Sequence, residues 1–154
     1  MDKMVQEVQE WLNVTWPEKF MYDETGTESG SFPVKPDGMT GNTTVKALIM
    51  ALQLRLGLTA DGAWGNMTTN ACPNINSSIT DSIIIRIVQG GFICKGYNPG
   101  GFDGAFGPRL QGCINVFKED LGRPEDSQLT PLELKSLLTT DPSLKVSAGN
   151  YEIR

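Results

Sequence analysis

Carboxylates are the side chains of this sequence best suited to chemistry, and they gather at Asp23-Glu24 with Glu28, at Glu119-Asp120 and at Glu125-Asp126. Two such groups roughly 5–9.5 Å apart across a sugar would hydrolyse a glycosidic bond. All three clusters lie in polar stretches, where a solvated surface is the expected role. Nucleophilic chemistry is narrower still. The chain contains no histidine, which excludes Ser-His-Asp and Cys-His pairs, His-ligated zinc and imidazole acid/base work. Cys94 therefore lacks an activating base. Cys72, Cys94 and Cys113 form no CxxC pair and leave an odd thiol under any single disulfide, so buried free thiols are expected. No calcium-loop pattern is present, and neither a metal nor a cofactor is expected.

The composition narrows the partners. With 154 residues and 39% hydrophobic residues, the chain can build a core as one ordinary domain or two very small ones. Its net charge of −5, without a Lys/Arg-rich run, makes it a poor ligand for nucleic acid or anionic lipid. The start Met1-Asp2-Lys3-Met4 lacks the basic and apolar regions of a signal peptide, and no apolar run approaches the ~20 residues that span a membrane. Sequons at Asn13, Asn42, Asn66 and Asn76 read as chance matches in an Asn/Thr-rich chain.

The elements that must position these groups follow from an internal repeat. Asp-Gly-x-x-Gly occurs at Asp37-Gly38 to Gly41, Asp61-Gly62 to Gly65 and Asp103-Gly104 to Gly107. After the first copy, Val45, Leu48, Ile49, Leu52 and Leu56 mark one helical face, closed by Gly57. After the third, Leu110, Cys113, Ile114, Phe117 and Leu121 repeat that stripe 65 residues on, closed by Gly122. The same offset carries Asp61 to Asp126, a decayed fourth copy. Upstream, Val5, Val8-Gln9 and Leu12 match Ile85, Val88-Gln89 and Phe92.

The pattern predicts helices over about Met4–Asn13, Asn42–Leu56, Asn66–Ala71, Asp81–Lys95, Pro108–Leu121 and Pro131–Leu138, with Ile83-Ile84-Ile85 the stretch closest to strand composition. Pro108 and Pro131 fit a first helical position, and Thr130-Pro131-Leu132-Glu133 has capping-box spacing. The expected fold is all-α, a tandem duplication of three-helix modules over 1–75 and 76–140, with 141–154 a linker or the start of a further repeat. The Asp-Gly turns are read as structural: Gly supplies positive φ and Asp bonds the backbone two residues on. Trp64 and Phe106 are expected to plug the core beside their turns.

In these residues the chain resembles the peptidoglycan-binding domain family, the small three-helix modules of bacterial cell-wall hydrolases, in its clostridial-type form. The second half carries Val88-Gln89-Gly90-Gly91-Phe92, Gly96-Tyr97, Asp103-Gly104-Ala105-Phe106-Gly107 and Leu110 to Lys118; the first carries Val8-Gln9-Glu10-Trp11-Leu12, Asp37 to Gly41, Thr44 to Leu48 and Leu52-Gln53. The likeness covers about residues 4 to 139. It departs at the last loop, which has lost both glycines, at Leu110 in place of Thr, and at Thr40 in place of an aromatic.

The resemblance implies a non-catalytic, extracellular or wall-associated binder of the glycan or peptide stem, covalently attached to a catalytic domain. Asn150-Tyr151-Glu152-Ile153-Arg154 lines up with Asp2 to Gln6, as in the N-terminal piece of a longer tandem protein. Glycan recognition calls for ring faces flanked by amides and carboxylates. The candidates are Tyr97, Asn98, Phe102 and Asp103 near the third turn, and Trp16 and Tyr22 in the long first-half loop. Trp11 is assigned to the core. The rival readings are a carboxylate-based wall hydrolase and a propeptide-like module docking on its own catalytic domain.

Overall fold

In a computed structural model, residues 2–15, 38–39 and 42–139 are described, and among them all regular structure is helical. The helices are α1 (Lys3–Thr15), α2 (Asn42–Arg55), α3 (Asn66–Ala71), α4 (Ser82–Cys94), α5 (Pro108–Asp120) and α6 (Pro131–Thr139). Each boundary lies within two residues of the sequence expectation. The isoleucine run resolves as helix. Its start explains why: the Asp81 carboxylate accepts the N–H groups of Ile83 and Ile84 at 3.0 and 3.3 Å, satisfying two donors that a strand would leave elsewhere.

α4 is the centre of the fold and packs on α1, α2 and α6. Two adjacent glycines make that possible. A Cβ on Gly90 would come within 3.1 Å of Val8 Cγ1 and 3.2 Å of Leu48 Cδ2, while one on Gly91 would come within 2.8 Å of Leu138 Cδ2. The pair thus admits α1 and α2 on one side and α6 on the other, at a helix-propensity cost of about 1 kcal/mol per glycine. Residues of both halves form one core: Val8, Leu12, Leu48 and Leu52 join Ile85, Phe92, Ile114 and Leu134 in it. A further tie is an antiparallel bridge, in which Ile75 and Leu129 exchange N–H···O bonds of 2.8 and 2.9 Å.

The helix ends obey local rules. α6 has the expected capping box, with Thr130 N–H on Glu133 Oε1 at 2.8 Å and Glu133 N–H on Thr130 Oγ1 at 3.3 Å. α4 ends in a Schellman motif: Gly96 (φ 94°) turns the chain, Gly96 N–H donates to Ile93 O and Tyr97 N–H donates to Phe92 O. Residues 140–154 lie outside the described residues, as does the proposed linker within them.

Candidate functional site

The Asp-Gly turns share one construction, and a buried side chain on the preceding helix builds each. Gln53 Oε1 accepts Gly62 N–H at 2.9 Å, while its Nε2 donates to Asp61 Oδ1 at 3.0 Å and Ala63 O at 2.9 Å. Gln89 does the same for Gly104, Asp103 and Ala105, at 2.9, 2.9 and 3.2 Å. Gln9 accepts from Gly38 N–H at 2.9 Å and donates to Met39 O at 3.2 Å. All three amides are about 1% exposed. The turn glycines have φ between 72° and 76°, where side chains are strained and glycine is not.

At the last turn Lys118 replaces the amide. Its ammonium donates to Asp126 Oδ1 at 2.5 Å, Gln128 O at 2.8 Å and Glu133 Oε1 at 3.0 Å. Burial would lower the pKa of Lys118, but the two carboxylates outweigh it and raise the value. Gln89 above all, helped by the Ala105 N–H, holds Asp103 below the ordinary carboxylate range, and Lys118 does the same for Asp126. These carboxylates serve the turns. Asp37 and Gly41 lie outside the described residues; Gly65 and Gly107 adopt extended backbone as the N-caps of α3 and α5.

The structure corrects two candidate ligand residues. Tyr97 is 2% exposed, its ring against Phe92 at 5.1 Å and Phe117 at 6.2 Å and its hydroxyl on Asp120 at 3.3 Å. The Schellman motif causes this, because it turns the residue after Gly96 back onto Phe92. Phe102 is 6% exposed, packed edge-on to Trp11 at 5.3 Å and under the Arg86 guanidinium at 5.0 Å. Neither ring presents a face to a ligand.

Asn98 is half-buried and accepts Gly100 N–H at 3.0 Å, so it shapes its loop. Asp103 is exposed, but the turn contacts above occupy the Oδ1 of its carboxylate. Trp16 and Tyr22 lie outside the described residues, as do Asp23, Glu24 and Glu28. All three cysteines are buried and none forms a disulfide; burial pushes the thiols of Cys72 and Cys113 up to about 11 and 12, away from nucleophilic use. No group of metal-ligating side chains forms among the described residues.

A concave feature among the described residues lies one step further along the chain than the sequence candidates near the third turn. An open groove of about 400 Å³ runs beside α5, lined by Phe106 and Gly107 from the turn and Pro108, Gln111, Gly112 and Asn115 from the helix. Ser77 also lines it. Trp64, at the matching turn position, behaves as expected: it is 7% exposed and its indole N–H donates to Thr69 Oγ1 at 2.8 Å. Phe106 instead packs on the core while remaining partly exposed to the groove. Gly112 forms an open floor, since a Cβ there would meet nothing within 4 Å. The available signal was Gly112, a glycine inside α5 with Gln111 before it and Asn115 three residues on.

Two Bacillus subtilis (strain 168) proteins are similar to the whole of this chain, the uncharacterized proteins FadG and YbfG, each 34% identical over 160 aligned positions. The chain spans 26% of the length of FadG and 20% of YbfG. No family model matches the chain, and no solved structure matches it.

Proposed function

We propose that this chain is a tandem pair of three-helix modules that binds bacterial peptidoglycan without hydrolysing it, outside the cell, and places an attached catalytic domain on the wall. The observation that carries the reading is one turn construction recurring at matched positions. Gln53, Gly62 and Thr68 correspond to Lys118, Ser127 and Glu133, each 65 residues on. The hydrogen bond from Gln53 to Thr68 Oγ1 (3.2 Å) corresponds to that from Lys118 to Glu133. Such a construction invests buried polar groups in holding loops rigid, as a surface recognising a repeating polymer requires. The motifs that resemble the peptidoglycan-binding family are the same turns and stripes, and a segment matching 20–26% of longer bacterial proteins suits an accessory module. Two modules on one polymer gain by effective concentration.

The test is co-sedimentation of the purified chain with sacculi, read together with their turbidity. Retention without clearing is the expected result. Clearing abolished by substitution of a single Asp or Glu would establish a hydrolase instead, and absence of both effects would favour a docking module.

A further inference from the structure

We infer that the groove beside α5 is the glycan site of this chain, that it takes an uncharged N-acetylated sugar chain, and that one such site is present rather than one per half. The inference rests on the wall-binding reading and adds the ligand class, the place and the number.

The lining sets the ligand class. Its side chains carry no formal charge: a partly exposed phenyl ring at Phe106, a proline, a serine and the amides of Gln111 and Asn115. An ionic peptide stem would find no counter-charge in the lining, and the net charge of −5 repels acidic polymers. A ring beside an amide suits a sugar bearing an acetamido group. The ring covers CH groups and the methyl, while the exposed Gln111 offers both a donor and an acceptor to the acetamido amide. Asn115 borders the groove with its amide held at the last turn, where its Oδ1 accepts Ser127 N–H at 2.9 Å and its Nδ2 donates to Ser127 Oγ at 3.2 Å. Gly112 between them lets the polymer approach the helix backbone.

On α2, α3 and α6 no glycine matches Gly112. On α2, 65 residues earlier, Gly112 corresponds to Ala47 and Asn115 to Met50, which are 0% and 4% exposed in the core. On α3 the Trp64 indole is drawn in by Thr69, the residue matching Gln111 when both are counted from their helix starts. On α6 the same count reaches Leu134 and Leu138, both buried. Of α2, α3, α5 and α6, α5 is the helix that places a glycine with open space at this position.

The test is a backbone NMR titration of the full chain with tri-N-acetylchitotriose, and with maltotriose as an uncharged trisaccharide without acetamido groups. Saturable binding of one chitotriose per chain is expected, with shifts centred on Phe106, Gln111 and Gly112 and none from maltotriose. Gly112→Leu should weaken binding at least tenfold with an unchanged circular dichroism spectrum, since the new side chain enters open space. Phe106→Ala should weaken it by a similar factor. Shifts centred elsewhere, two equivalent sites, equal binding of maltotriose, or unchanged affinity in Gly112→Leu would overturn the inference. If sacculi retain the chain and its Gly112→Leu variant alike while chitotriose does not bind, the groove assignment fails and wall binding stands. If sacculi do not retain the wild-type chain either, both fail.

Discussion

Lys118 and Asn115, one helical turn apart on α5, divide the hydrogen bonds that the single amide of Gln53 makes at its own turn. Gln53 donates to Asp61 and accepts from Gly62. An ammonium donates only, so Lys118 takes Asp126 and leaves the loop N–H without an acceptor. Asn115 supplies it, accepting Ser127 N–H at 2.9 Å. The loop survives the exchange with Ser127 at φ 62°, where the other described turns use glycine.

The Lys118–Glu133 ion pair is buried, with both side chains 3% exposed. Removing one partner strands the other, at a typical cost of 3–5 kcal/mol. Lys118→Met should therefore lower stability by about 3 kcal/mol in urea unfolding. Lys118→Gln with Glu133→Thr rebuilds the Gln53–Thr68 arrangement and should recover at least half of the loss. A double variant no more stable than Lys118→Met would contradict the equivalence of the two turns.

Gln89 is the corresponding clamp of the third turn. Truncation to Ala leaves the buried Gly104 N–H without its acceptor, which costs about 1–3 kcal/mol. The melting temperature of Gln89→Ala should drop accordingly. Hydrogen exchange should accelerate first at Gly104 and Ala105 rather than across α4.

Two backbone substitutions should move stability in opposite directions. Ser127→Gly relieves a left-handed conformation that costs a non-glycine residue roughly 1 kcal/mol, and should stabilise by up to that amount. Gly91→Ala gains helix propensity, yet its Cβ would sit 2.8 Å from Leu138 Cδ2, so the chain should melt earlier. A higher melting temperature for Gly91→Ala would show that α6 is free to shift.

Acid should weaken the fold before mild alkali does. Asp81, Asp103 and Asp126 hold folded-state pKa values below 3.8, so their contribution is present above 3.8 and is lost as the pH falls through the folded values. At Asp81 desolvation opposes the shift, and Arg55 at 2.7 Å with the two helix N–H groups outweighs it. Lys118 works in the other sense: its contribution is complete below 10.5 and lost only as the pH rises through a higher folded value. Urea midpoints should be flat near neutrality and fall below about pH 4. Asp81→Ala should cost about 1 kcal/mol at pH 7 as a lost N-cap. Its deficit should shrink as the wild-type carboxylate becomes protonated.

The helices were legible in the sequence because their signals are local. Apolar stripes at Val45–Leu56 and Leu110–Leu121, proline at the starts of α5 and α6, and Gly57 and Gly122 past the ends of α2 and α5 all act within one or two turns. The Asp-Gly turns were legible for the same reason, and so was the burial of Trp64. Their clamps were not: Gln53, Gln89 and Lys118 reach across eight to fifteen residues to partners that spacing alone does not pair with them.

By itself the sequence determined the helix spans, the positions of the turns and the exclusion of histidine-dependent chemistry. The tertiary structure alone decided which rings are available. Tyr97 entered the core against Phe92 of α4 and Phe117 of α5, and Phe102 against Trp11 of α1 and Arg86 of α4, whereas Phe106 kept a partly exposed face beside the open space at Gly112. Spacing records which residues share a face of a helix. Which face is left uncovered depends on where the other helices come to rest.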